Sequence, residues 1–415
     1  MALRKYDLVI YGATGFTGEL TCEYLVELKE KDLKWAIAGR SLSKLEQTKQ
    51  HLTTMDETLE NIDLIVADAN NPDSLDSLLR DTMVVISTVG PYGKHGTPLV
   101  EACLRQGTHY VDITGEHNWI KYLIDHHHEE AQNKNVMIVP SCGFDSVPSD
   151  LGTFMVVDHL RRKHDLDTAD VKLSLIKAQG GVSGGTIQSM VQACSDKYLS
   201  ASDYFNPYLL STQRGQDKPY LPWFYKDHDF AGKWQAFFIM SVVNEKIVRR
   251  SWSLYADRGR SYGKLFKYRE SSVMPFIPGL IYTCILLAVL PLASVFLKFK
   301  PIMRLVEKIL PAGGTGPTRE QRSQGNFEFQ LVATADTEPY DPVVRARGVV
   351  KGFRDPGYGD TCRMLVESAL SIVKNLDSLP GKQGGILTPA TAFGQVLIDR
   401  LTANGGMVFE VTDMP

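Results

Sequence analysis

The sequence predicts an α/β protein. A doubly wound parallel sheet spans residues 1–150, and a second, α+β domain with an antiparallel sheet spans 151–415. Three observations lead there. Short apolar strands and amphipathic helices alternate through the first 150 residues, the pattern that builds a parallel sheet. A glycine-rich loop separates the first strand from the first helix. Beyond residue 150 that rhythm stops, and strands with a period of two take over. A chain of 415 residues is also too long for one compact core, so two domains are expected.

The elements follow in order. Residues 6–11 (YDLVIY) are an apolar run suited to a strand buried on both faces. After the loop 12–18, residues 19–30 place Leu20, Tyr24, Leu25 and Leu28 on one helical face. Residues 34–39 form a second strand, and Ser41 is placed to cap a helix over 42–51. Strands are expected at 62–67, 83–88, 109–113 and 135–140. Helices are expected at 72–80, led by a proline, and at 97–106 and 119–134. In the second domain, 171–179, 326–335 and 343–353 alternate like strands. Residues 361–376 form an amphipathic helix, and 406–412 close the chain as a strand.

Composition narrows the function classes. The formal net charge is -3 and no basic stripe is present, so no nucleic-acid partner is expected. The six cysteines are scattered without a CxxC pair. That argues against a disulfide framework or zinc site and fits a reducing compartment, so the expected location is cytoplasmic. His126-His127-His128 does not read as a metal site, because adjacent helical residues point about 100° apart. No metal is expected. Residues 280–297 are uncharged and reach the lower limit for a membrane span, about 17–25 residues. Three readings stay open there: a buried helix pair, contact with a membrane interface, and a true span.

The motifs point to a dinucleotide. Gly12-Ala13-Thr14-Gly15-Phe16-Thr17-Gly18 lies between strand and helix, where glycines allow a tight turn and close approach of a pyrophosphate. The helix start then offers free N–H groups and a positive dipole end to the phosphates. This is a Rossmann-type arrangement. The second strand ends in Arg40-Ser41, with Lys44 one turn on. An arginine there, in place of an acid, suits a 2′-phosphate and favours NADP(H). Asp68, after the third strand, is a candidate near the adenine.

Ligands in such sheets bind beyond the carboxyl ends of the strands. The fourth strand ends in Gly90-Pro91-Tyr92-Gly93-Lys94-His95, expected near the nicotinamide, with Tyr92, Lys94 and His95 as candidates to hydrogen-bond substrate or shuttle a proton. The next strands end in Glu116-His117 and in Cys142-Gly143-Phe144-Asp145-Ser146. Glu116, Asp145 and Ser146 are the candidates for positioning substrate, and Cys142 reads as a packed thiol. The Tyr-x-x-x-Lys pair of classical short-chain dehydrogenases is absent from the chain. The turn 180–186 (GGVSGGT) is open between an anion seat and a sheet-to-helix turn.

Together these motifs resemble the saccharopine dehydrogenase-like oxidoreductases. The resemblance runs nearly end to end: YGATGFTG at 11–18, WAIAGRSLSKL at 35–45, VGPYGKHG at 89–96, DITGE at 112–116 and SCGFDSVPSDLG at 141–152. It continues with GGVSGGT at 180–186, IVRRS at 247–251, FKYRE at 266–270 and GGILTPATAFGQVLIDRL at 384–401. The later motifs look closest to the trans-acting enoyl reductase branch. The resemblance implies an NADP(H)-dependent oxidoreductase, with an enoyl C=C of a lipid-like or polyketide acyl chain as the leading substrate. An imine of saccharopine type, or a non-catalytic NADPH-binding protein at a lipid surface, are the alternatives. It further implies association with membranes or lipid droplets, and glycolipid synthesis in the bacterial branch. The expected partners are a small-molecule or carrier-bound acyl substrate, a lipid surface met through 280–297, and a second copy of the chain.

Overall fold

Apolar strands bounded by turn residues build the first layer. In the computed structural model, which describes residues 4–180, 206–218, 224–296 and 318–415, β1 (Tyr6–Tyr11), β2 (Trp35–Gly39), β3 (Asp63–Val66), β4 (Thr82–Ser87), β5 (His109–Asp112) and β6 (Met137–Val139) alternate with five helices. These are α1 (Phe16–Leu28), α2 (Leu42–Thr53), α3 (Pro72–Arg80), α4 (Tyr92–Gln106) and α5 (His117–Asn133). Leu8, Val9 and Ile10 are wholly buried, as a strand covered by helices on both faces requires. Each such side chain contributes about 1.5–3 kcal/mol of burial. Local capping sets several helix starts. Ser41 accepts from the Lys44 N–H at α2, and Asn71 accepts from the Ser74 N–H at α3, ahead of Pro72.

The rest of the chain carries α6 (Val147–His164), β7 (Thr168–Gln179), β8 (Tyr225–Asp227), β9 (Lys233–Ala236), α7 (Ser241–Asp257), β10 (Lys267–Val273), α8 (Phe276–Phe296), α9 (Arg319–Ser323), β11 (Asn326–Ala335), β12 (Arg345–Gly352), α10 (Gly359–Asn375), β13 (Gly385–Ile386), α11 (Pro389–Phe393), α12 (Gln395–Thr402) and β14 (Val408–Asp413). The second sheet runs β14-β12-β11-β7-β10-β9-β8. It is antiparallel apart from one parallel pair, β7 with β10, so it is a mixed sheet.

The first sheet runs β13-β6-β5-β4-β1-β2-β3, all parallel, and its order reverses between β1 and β4. The crevice beyond that reversal is where such sheets bind ligands. A late segment completes this sheet: β13 pairs with β6, and α10 packs on α1, with the Tyr24 hydroxyl donating to Glu367 at 3.0 Å. Residues beyond 150 therefore belong partly to the first layer. A two-residue strand has too little period to be read from sequence.

Two buried ionisable groups stitch the layers. Asp150 accepts from the Ser251 hydroxyl and from the Ala390 N–H at 2.7 Å. Arg250 donates to the Leu210 carbonyl at 2.7 Å and to the Ile386 carbonyl. These pin α7 against α6, α11 and β13, and so fix the second layer against the crevice.

Helix α4 starts at Tyr92, five residues before the expected start at 97, even though Pro98 lies inside it. The cause is a cap from afar: Glu116 accepts from the Tyr92 and Gly93 N–H groups at 2.8 and 2.9 Å.

Helix α8 covers most of the apolar run 280–297. Gly279 lies under the Phe224 ring, while Phe276, Ile277, Leu280, Ile281, Ile285 and Leu287 are exposed. A buried helix pair is thus not what this chain forms over its described part. Among the described residues no helix is long and apolar enough to cross a membrane. Most of the turn 180–186 lies outside the described residues.

Candidate active site

The loop after β1 is shaped by what cannot fit there. Gly12 has φ +93, and a Cβ on it would lie 2.6 Å from Val89 Cγ2 and 2.7 Å from Thr88 Oγ1. A Cβ on Gly18 would lie 2.1 Å from the Gly12 carbonyl oxygen, so α1 packs directly on the loop. Gly15 caps α1 without a side-chain cap bond. Thr14, Phe16 and Thr17 surround that helix start, half-buried. A bare, positive helix end over a glycine cradle suits a diphosphate.

At the end of β2, Arg40 is exposed, and Lys44 is exposed one turn into α2. Ser41 serves as the cap of α2, its hydroxyl 3.5 Å from the Lys44 nitrogen. Asp68 accepts from the Asn70 N–H at 2.9 Å, closing the turn after β3. His95 belongs with this group. Burial holds its imidazole below the ordinary histidine range, helped by the charges of Lys94 and Arg40 and opposed by Asp68. Lys94, Arg40 and Asp68 are thus the charged groups that act on His95.

Tyr92 departs from the expectation of a proton donor. Its ring is buried and stacks on Trp119 at 5.7 Å, and its hydroxyl donates to the Ser87 carbonyl at 3.1 Å. Burial pushes its phenol far above the usual range. A phenol spent on a backbone carbonyl in the core does not serve as a proton donor to substrate. Glu116, expected to position substrate, caps α4. Gly90 and Pro91, joined by a cis bond, sit at the cap of α4 and border the glycine loop through Val89.

The ends of β5 and β6 carry two acids of raised proton affinity. Asp112 is fully buried and accepts from the Tyr110 hydroxyl at 2.7 Å, the Thr114 N–H at 2.9 Å and the Ser141 N–H at 3.1 Å. Burial still raises it to about 7. It is spent on holding the two strand ends together. Asp145 differs. Its Oδ1 is buried without a hydrogen-bond partner, its Oδ2 lies beside Gly115, and burial alone raises it to about 6. A carboxyl that holds its proton to near neutrality, with one oxygen unpartnered among the described residues, is equipped to give a proton to a ligand.

Ser146 follows with φ +95, a strained backbone for a serine. Its hydroxyl donates to Asn244 Oδ1 at 3.2 Å, and the Asn244 amide donates to Glu270 at 3.0 Å. Glu270 also accepts from the Tyr268 hydroxyl at 2.7 Å, and burial raises it to about 7. Nearby on α7, Lys246 is buried, lowered to about 8 by burial, and donates to the Val242 carbonyl at 2.8 Å. Its charge reaches His117, which burial lowers to about 3. Cys142 packs as expected, its thiol buried and 3.3 Å from the Val139 carbonyl.

Asp145 and Ser146 thus stand together, with Asp145 beside Gly115. Asn244, Lys246 and Glu270 were not foreseen, although Glu270 closes the FKYRE motif. The three consecutive histidines do diverge: His126 to the Tyr122 carbonyl, His127 towards Glu101 and Glu130, His128 to the Ile386 N–H. Far from the crevice, His159 and His164 both meet Asp413, whose other oxygen pairs with Lys163 at 2.8 Å.

Comparison with known proteins adds three findings. The family model described as the saccharopine dehydrogenase NADP binding domain matches residues 8–139. A Mycobacterium tuberculosis protein named "Putative trans-acting enoyl reductase" is 36% identical over 97% of this chain and 96% of its own. The trans-acting enoyl reductase of Mycobacterium leprae is 33% identical over 98% and 97%. Among solved structures, the apo saccharopine dehydrogenase (L-Glu forming) of Saccharomyces cerevisiae aligns with a TM-score of 0.53 over 99% of this chain and all of its own, at 13% identity, which speaks to the fold alone.

Proposed function

The chain belongs to the saccharopine dehydrogenase-like oxidoreductases, with the trans-acting enoyl reductases as its relatives, and is an NADP(H)-dependent oxidoreductase; from that premise we propose that it reduces the enoyl C=C bond of a lipid-like or carrier-bound acyl chain. The observation that carries the reading is Asp145, a protonatable carboxyl beyond the carboxyl end of β6 whose Oδ1 is buried without a partner among the described residues.

The glycine cradle, the bare start of α1 and Arg40 fit NADPH, which supplies a hydride when bound. The protein's own residues meet the remaining demands. Reduction at the β-carbon leaves enolate charge on the acyl oxygen, and the α-carbon must take a proton. Asp145 holds that proton at its carboxyl. Ser146, fixed by Asn244, presents a polar edge beside it. Lys246, charged below about 8, adds positive field from α7 that favours the developing negative charge.

The exposed apolar face of α8 supports a second element of the reading: contact with a membrane or lipid-droplet surface, from which a greasy acyl chain enters. Ile277→Ser with Ile281→Ser and Ile285→Ser should abolish co-sedimentation with phospholipid vesicles and leave NADPH binding unchanged.

The test of the reaction is NADPH consumption with a panel of 2-enoyl thioesters and cyclic imines. Turnover of the thioesters supports the proposal. Turnover of imines alone replaces it with saccharopine-type chemistry, and NADPH binding without turnover of either class favours a non-catalytic lipid-surface role.

A further inference from the structure

The carboxyl end of α6 and the edge of the second sheet meet at one carboxylate. Asp413 is the last residue of β14, and its Oδ1 accepts from His159 Nε2 at 2.7 Å and from His164 Nε2 at 3.0 Å. Lys163 takes the other oxygen, Oδ2, at 2.8 Å. Both histidines belong to α6, which ends at His164 as Asp165 turns left-handed with φ 55. Their rings do not stack: the centroids are 6.2 Å apart and the planes stand at 62°. Each ring instead directs a nitrogen at the same oxygen. The three atoms, two imidazole nitrogens and one carboxylate oxygen, all lie within 4.8 Å of one another.

That set matches a metal ion in kind and in size. A tetrahedral zinc ion with bonds of about 2.0–2.2 Å holds its ligand atoms about 3.4 Å apart. Two of the separations here, 2.7 and 3.0 Å, lie just under that value, and none exceeds 4.8 Å. Imidazole with carboxylate suits zinc and its first-row neighbours better than a hard ion. The histidines are half-buried and Asp413 is exposed, which leaves the fourth position to water and gives the ion a way in. Lys163 on Oδ2 orients the carboxylate so that Oδ1 faces the ion, as outer partners of metal ligands do. We propose that His159, His164 and Asp413 form a zinc-type metal site that clasps β14 to α6. Loading replaces two N–H···O bonds by two nitrogen–metal bonds, with each ring carrying its hydrogen on Nδ1. The clasp has something to hold: β14 is an edge strand, paired with β12 alone among the described residues. The site lies far from the crevice and does not depend on the reaction catalysed there.

The experiment uses the full chain, stripped of metal with a chelator, and zinc chloride as the probe. Calorimetry should find a zinc site that His159→Ala, His164→Ala and Asp413→Ala each weaken by at least about tenfold. His126→Ala, in the histidine tract whose rings diverge, should leave it unchanged. Zinc should raise the thermal unfolding midpoint of the unsubstituted chain and slow amide hydrogen exchange across Val408–Asp413. Calcium, which prefers oxygen donors, should do neither. The exchange measurement compares one and the same chain with and without zinc, so it holds whether or not a substitution harms folding. Absence of zinc binding overturns the proposal. So does zinc affinity that survives the loss of both histidines, exchange across Val408–Asp413 that zinc leaves unchanged, or an equal response to calcium. Each of these would mark the cluster as ion pairs alone.

Discussion

Asp145→Asn should make the protein more stable above neutrality while removing its activity. The side chain's size is kept and only the ionisable proton is lost. Asp145 stands at about 6 in the folded chain, against an ordinary carboxyl value of 3.8. The folded state therefore binds this proton more tightly than the unfolded state does. The stability linked to that proton is complete below about 3.8 and is lost as pH rises through about 6. At about 1.36 kcal/mol per tenfold in proton affinity, the ionised carboxylate costs the fold about 3 kcal/mol at pH 8. Asparagine carries no such cost, so urea unfolding at pH 8 should move to higher midpoint in the variant by up to about that free energy. The gap should close as pH falls from 6 to 4. Turnover should drop by roughly 10²–10⁴, the usual contribution of a general acid, and the limb of the wild-type pH–rate profile near 6 should vanish. A variant no more stable than wild type at pH 8, or a stability gap that does not depend on pH, would refute the account of Asp145 as a buried carboxyl with one oxygen unpartnered among the described residues.

Other expectations follow from the same geometry. Arg40→Ala should weaken NADPH by roughly ten- to a hundredfold, the worth of a charge-assisted contact of about 1.5–3 kcal/mol, and leave NADH unchanged in a fluorescence titration; equal losses would remove Arg40 from the 2′-phosphate. Gly12→Ala places a Cβ 2.6 Å from Val89 Cγ2 at a φ of +93, so dinucleotide binding should fail in calorimetry while far-ultraviolet circular dichroism shows the fold retained. Tyr92→Phe removes only the bond to the Ser87 carbonyl. It should cost about 1 kcal/mol in urea unfolding and leave kcat within about twofold; a large fall in kcat would restore Tyr92 as a proton donor.

What the sequence alone determined about this protein is what short-range physics encodes. The alternation of apolar strands with 3.6-period helices, Gly12 to Gly18 between the first pair, and Arg40 where an acid would select NAD all lie in local patterns. Strands such as Asn326–Ala335 could be read from their period of two. The tertiary structure decided everything that joins distant residues. Glu116, distant in sequence, became the cap that starts α4 early, and Tyr92 joined the core. The short strand β13 returned to the first sheet, with Arg250 donating to its carbonyl. Asn244 and Glu270 reached Ser146 through the docking of α7. A side chain's charge and size are written in its own position, but its partner, its burial and hence its proton affinity depend on what the folded chain places against it.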